Sequence, residues 1–206
     1  MVYPVKIDFQ LVLKDYHRRI RSVVERAWTE WRAVASFRAE QNYSPLMYSR
    51  TVANYVFDAI ARIAVSEFAG DAAVHVKVEA QTVKFFFKSC VLARFKKGDD
   101  NKLGQNIPTQ SALAFTESTG ILFDLPAETA KVEIIWLSND IQTRLERVLV
   151  VARDGNRLLW DYEIETGEVG SGAGTIILFP PLPPVDPDSE RLVKPRTPNI
   201  KKNEKV

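Results

Sequence analysis

The stretch from Lys84 to Ala114, KFFFKSCVLARFKKGDDNKLGQNIPTQSALA, passes from an aromatic and aliphatic run through dense charge into a polar loop. Phe85, Phe86, Phe87, Val91, Leu92 and Phe95 are residue types that suit a pleated, largely buried surface, so Lys84 to Phe95 reads as a strand. The run closes on Arg94, Lys96, Lys97, Gly98, Asp99 and Asp100, whose charges must be solvated or paired. Asn101 to Gln110, punctuated by Gly104 and Pro108, reads as a loop carried by a rigid strand, the usual setting for functional groups. The candidate binding residues are therefore Arg94, Lys96, Lys97, Asp99, Asp100, Lys102, Asn106 and Gln110.

On the N-terminal side of this stretch, Val74, Val76, Val78 and Ala80 alternate with His75, Lys77, Glu79 and Gln81, the pattern of a strand. The apolar phase then shifts to Val83, Phe85 and Phe87, so a turn or bulge falls near Ala80 to Thr82 and the two runs form a hairpin. On the C-terminal side, Lys131 to Leu137 and Glu146 to Arg153 read as strands. Asp154-Gly155-Asn156 supplies residues that tolerate positive φ, and Leu158, Trp160, Tyr162 and Ile164 alternate beyond it, which predicts a tight hairpin.

Near the N-terminus, Val5, Ile7, Phe9, Leu11 and Leu13 alternate with polar neighbours and predict a half-buried strand. Asp15 is placed to cap a helix running to about Ala39, whose apolar stripe is Tyr16, Ile20, Val23, Ala27, Trp31 and Val34. Ser44-Pro45 has the chemistry of a second helix start, and Val52, Tyr55, Val56, Ala59, Ile60 and Ile63 continue the stripe toward Gly70. The short Gln41 to Tyr43 connection makes the pair antiparallel. The expected fold is α+β: an antiparallel sheet covered by a pair of antiparallel helices, Asp15 to Ala39 and Pro45 to Ala69. One domain spans 1–179 and includes a short strand at Thr175 to Phe179. Residues 180–206 form a Pro-rich, charged tail with too few apolar groups to fold alone.

The 206-residue length suits one core, and 46% hydrophobic with 26% charged residues is an ordinary globular balance. The net charge of +2 comes from the tail: Asp186 to Val206 holds six Lys/Arg and four Asp/Glu, leaving 22 of each sign elsewhere. A broad nucleic-acid footprint is thus not visible in the body, although a local patch remains open. Cys90 is a lone cysteine in an apolar run, where a thiol is usually a core residue. The start MVYPVKIDFQ lacks the features of a signal peptide, and no apolar run approaches the ~20 residues that span a bilayer. A cytoplasmic protein without membrane contact is expected.

The common catalytic arrangements fall short. Two histidines and one cysteine, far apart, make no zinc set. Gly170-Ser-Gly-Ala-Gly174 resembles a phosphate loop, but it leads toward Thr175-Ile-Ile-Leu-Phe and prolines instead of a helix N-terminus. Glu79, Asp99 and Asp100 with Lys84 or Lys97 are the nearest approach to a metal-dependent nuclease, and adjacent acids after Gly98 also suit a solvated turn. Arg94, Lys96, Lys97 and Lys102 beside Phe95 give a stronger nucleic-acid signal, although strand-end lysines also block edge pairing. No cofactor or metal is implied, and a binding protein is expected in preference to an enzyme.

Arg94-Phe95-Lys96-Lys97 followed by Asn106-Ile107-Pro108-Thr109-Gln110, with Asp154-Gly155-Asn156 and Leu159-Trp160 further on, resembles uncharacterised bacterial proteins of about this size. These are encoded beside regulators that join a helix-turn-helix to an ImmA/IrrE-type metallopeptidase, an arrangement similar to a toxin–antitoxin pair. The resemblance carries no catalytic residues. It implies a component of a bacterial or phage toxin–antitoxin or defence pair that binds a protein from an adjacent gene. The alternative is a nucleic-acid-binding or nucleic-acid-cleaving protein using Arg94 to Lys102.

Overall fold

The computed structural model describes residues 5–79, 82–105, 113, 115–116 and 129–165. All of them belong to the first of two units, Met1–Glu168. The expected tail at 180–206, the strand at Thr175 to Phe179 and the domain boundary lie outside the described residues. Three helices, α1 (Lys6–Leu13), α2 (His17–Glu40) and α3 (Ser49–Phe68), precede six strands: β1 (Val74–Glu79), β2 (Thr82–Phe87), β3 (Val91–Lys97), β4 (Ala130–Ser138), β5 (Leu145–Asp154) and β6 (Arg157–Glu163). The strands form one sheet in chain order. Every neighbouring pair is antiparallel except β3 and β4, which run parallel. The class is α+β, as expected, and the sheet is mostly antiparallel.

Helices cover one face. Phe85, Phe87, Phe95, Ile134, Trp136, Val148 and Val150 point into a core with Ile20, Trp28, Val56, Ile60 and Phe68. Aromatic contacts dominate it. The Phe68 and Phe87 rings meet edge to face at 5.5 Å, while Tyr16 with Phe87 at 4.9 Å and Trp28 with Trp136 at 5.6 Å are tilted pairs. A smaller cluster of Leu103, Ile135, Leu149 and Val151 lies on the opposite face.

Four sequence expectations give way to the tertiary structure. Val5 to Leu13 forms a helix where a strand was expected. Phe9 and Leu13 of the alternating set are four apart and continue at helical spacing to Tyr16, and those three are buried while Val5, Ile7 and Leu11 are exposed. Phe9 reaches β6, 5.0 Å from the Trp160 ring. Asp15 caps nothing. A 3-10 turn at Lys14–Tyr16 leads straight into α2, and the His17 N–H donates to Lys14 O, so the first turn is served by backbone. The Asp15 carboxylate instead pairs with Lys88 Nζ at 2.9 Å.

Lys84 to Phe95 is two strands. Lys88 and Ser89 both have positive φ, 47° and 55°, and Cys90 N–H donates to Phe87 O at 3.0 Å. Two left-handed residues match the twist of a tight hairpin, but Lys-Ser lacks the Asn-Gly chemistry that announces one. Cys90 is consequently exposed on the turn. The expected β5–β6 turn forms, with Gly155 at φ 57°.

The α2–α3 connection also differs from expectation. Asn42 takes φ 54°, Tyr43 N–H donates to Arg38 O and Asn42 N–H to Ala39 O, which is the Schellman ending of a helix. Helix α3 starts at Ser49 rather than Pro45, after extended Tyr48 and with no side-chain cap. The connection is thereby several residues longer than Gln41 to Tyr43.

Two measurements check this packing. Phe87 is fully buried among rings, so Phe87→Ala is expected to cost about 3–5 kcal/mol in urea denaturation. His17, hydrogen-bonded to the Tyr162 hydroxyl at 3.0 Å, has its pKa pulled below 6.5 by burial, against an opposing pull from Asp15. Its unfolded form therefore binds more protons, and the stability it contributes is complete above pH 6.5 and lost as pH falls through the folded value. Urea midpoints at about pH 7.5 and about pH 5.5 should differ in the native chain and differ less in His17→Gln.

Candidate functional site

Strand register brings charged residues from five of the six strands into one row. Lys77 pairs with Lys84, Lys84 with Arg94, Arg94 with Glu133, Glu133 with Val151 and Val151 with Asp161, crossing all six strands on the face away from the helices. At its centre Glu133 is fully buried and Arg94 is 4% exposed. Arg94 Nε and Nη2 donate to Glu133 Oε1 at 3.1 and 2.6 Å. The other oxygen, Oε2, accepts the Gly104 backbone N–H at 3.0 Å and Arg153 Nη1 at 3.2 Å. The Phe115 ring lies 3.9 Å from the Arg94 guanidinium carbon. Burial pulls the Arg94 pKa down and Glu133 pulls it back in part.

The loop after β3 folds down onto this network. A Cβ at Gly104 would stand 2.5 Å from Glu133 Oε2 and 2.9 Å from Lys96 Cβ, and one at Gly98 would stand 2.7 Å from Leu137. Only glycine permits that approach. Asp99 shapes the loop by accepting the N–H groups of Asn101 and Leu103 at 3.0 and 2.9 Å. Lys102, at φ 58°, reaches Asp161 at 3.0 Å.

The sequence-derived candidates therefore do not form one exposed basic patch. Arg94 and Lys102 are taken by carboxylates. Lys96 is half-buried with its Nζ 5.7 Å from the Phe57 ring, and burial, with Arg94 beside it, holds its pKa below the lysine range. Lys97 lies over Trp136 at 5.8 Å. Asp99 is a loop-shaping acceptor and Asp100 is exposed, while Asn106 and Gln110 lie outside the described residues. Glu79 pairs with buried Lys84 at 2.8 Å. Among the described residues no group of three or more His, Cys, Asp or Glu could hold a metal ion. An open cleft of about 870 Å³ adjoins the loop, but Arg153 on its wall already serves Glu133, Gly104 O, Gly155 O and Asn156. Glu133 and Arg153 were missed by sequence reasoning. The available signal was a lone acid inside the apolar strand Val132 to Leu137, which has to be neutralised wherever both faces are covered.

A second surface carries a different chemistry. Around the α2–α3 connection Phe37, Tyr43 and Tyr48 are exposed, Met47 is 83% exposed, and Ile141 from the β4–β5 turn is 77% exposed. Asn139 builds that turn, its Oδ1 accepting the N–H groups of Thr143 and Arg144 at 2.8 and 2.9 Å. Arg38 lies 5.7 Å from the Tyr43 ring and Arg50 4.9 Å from the Tyr48 ring. Between α2 and the connection runs a groove of about 480 Å³ that includes Trp31, Leu46, Met47 and Ile141.

Comparisons of the chain find no matching family model, curated protein or solved structure. Among the described residues no helix is long and apolar enough to cross a membrane.

The buried network makes a direct prediction. Glu133→Gln leaves Arg94 and Arg153 as uncompensated buried charge and should cost about 3–5 kcal/mol. Gly104→Ala, which crowds the same carboxylate without removing it, should cost about 1–3 kcal/mol. Chemical denaturation of the two variants, with Glu133→Gln the worse, checks the ordering.

Proposed function

We propose that the chain is a cytoplasmic, protein-binding component of a bacterial or phage toxin–antitoxin or defence pair, and that it meets its adjacent-gene partner through the α2–α3 surface. The observation that carries the reading is that Tyr43, Met47, Tyr48 and Ile141, all exposed, line one groove. Aromatic residues, methionine and arginine are the types enriched where proteins meet, and contiguous exposed apolar groups mark interaction sites. The Schellman ending and the Asn139 turn hold these side chains on fixed backbone, which lowers the ordering cost of association. The pairing with an adjacent gene rests on the resemblance at Arg94 to Lys97, Asn106 to Gln110 and Asp154 to Asn156. The nucleic-acid reading is supported less, because Arg94 and Lys102 are engaged within the chain.

Co-purification of the tagged full chain with the neighbouring gene product tests the reading. Met47→Asp and Ile141→Asp, both at exposed positions, should each leave the melting temperature within a few degrees and reduce recovery of the partner at least tenfold, about 1.4 kcal/mol or more. Equal recovery with both variants overturns the proposal.

A further inference from the structure

The groove beneath this surface has a polarity of its own. Its charged lining residues are Arg32 and Arg38, both cations and both half-buried. Glu40 and Asp140, carboxylates close by in sequence, are not among the lining residues, and Glu40 is engaged by Ser36 Oγ at 3.0 Å. The groove includes Trp31, 7% exposed, whose indole N–H is buried and has no hydrogen-bond partner among the described residues. Gln142 lines the same groove, and its buried Oε1 also lacks a partner there. Unpaired buried polar groups are rare because each forfeits the hydrogen bond it had in water. A donor and an acceptor without partners, on two residues that line one groove, complement the C=O and N–H of a peptide main chain.

We infer that this groove binds an acidic peptide segment of the partner, with an apolar side chain seated beside Trp31 and carboxylates meeting Arg32 and Arg38; the inference rests on the protein-binding reading above. The segment's carbonyl accepts the Trp31 indole N–H and its amide donates to Gln142. Both groups are closed to solvent in the free chain, so access requires a side chain to move. Arginines at the groove favour carboxylates over other apolar peptides, by charge and by planar hydrogen bonding.

The test pans a random dodecapeptide library on the full chain, with the Arg32→Glu/Arg38→Glu variant as counter-selection. Enriched peptides should combine Leu or an aromatic residue with Asp or Glu. Their affinity should fall about tenfold in the double variant and weaken between about 50 and about 300 mM salt. Arg32→Gln/Arg38→Gln serves if the reversed variant melts early. On binding, the Trp31 indole N–H resonance, assigned through Trp31→Phe, should move downfield as it gains an acceptor.

Enriched peptides that are basic or show no charge bias overturn the inference, as does an unmoved Trp31 resonance. No enrichment, together with a dimer in light scattering that Met47→Asp dissociates, overturns it in favour of a second copy of the chain. The two proposals fail separately. Acidic peptides that bind as described while the adjacent-gene product does not co-purify leave the groove standing and remove the pairing. A partner lost with Met47→Asp alongside peptides without acids removes the acidic ligand and leaves the surface.

Discussion

A single buried carboxylate holds the middle of this molecule together. Glu133 has no solvent, so its charge survives only because Arg94, Arg153 and the Gly104 N–H surround it. Each partner comes from a different piece of chain: β3, β5 and the loop that follows β3. The parallel pairing of β3 and β4 places Arg94 beside Glu133 in register, and the loop lies on the sheet because a glycine backbone is the only one that fits against the carboxylate. Removing one partner of such a cluster leaves an uncompensated charge in a low-dielectric site, so its members depend on one another.

That arrangement gives the sheet two unlike faces. Toward the helices it is aromatic, with Phe68 edge-on to Phe85 and Phe87, and Phe85 edge-on to Phe95. Away from them it carries the ionic row flanked by Leu103, Ile135, Leu149 and Val151. Because both faces are covered around the middle of β3 and β4, these strands are largely apolar on both sides there, and the charges at their centre, Arg94 and Glu133, are internal. Two of the cations that look like a binding patch in the sequence, Arg94 and Lys102, are taken by carboxylates within the fold.

What remains for contact with other molecules is set by loop geometry. Asn42 at φ 54° closes α2 and turns the chain outward, leaving Tyr43 to Tyr48 as an exposed connection ahead of α3. The Asn139 turn sets Ile141 outward within the same groove. Neither device contributes much to the core. Both keep apolar side chains exposed at fixed positions, which suits a surface that must bind without first ordering itself.

Periodicity alone was enough for much of the architecture. The stripes Ile20, Val23, Ala27, Trp31 and Val52, Val56, Ala59, Ile60 specify two amphipathic helices, and the alternation about Asp154-Gly155-Asn156 specifies the last hairpin, because burial of one face leaves a local record at steps of three to four or of two. The same logic was ambiguous at Phe9 and Leu13, which satisfy both periods. Only packing against Trp160 and the rest of the core decided for helix. The Lys88-Ser89 turn left no mark, since neither residue is of a type that announces positive φ. The fate of Arg94 and Lys102 was equally illegible: whether a cation is free or paired depends on which acid the register sets beside it, and Glu133 and Asp161 lie 39 and 59 residues away. Local pattern determined which segments could be helices and strands; tertiary pairing decided which charges are structural and which side chains are left to bind, because burial of charge is a property of neighbours that are distant in the chain.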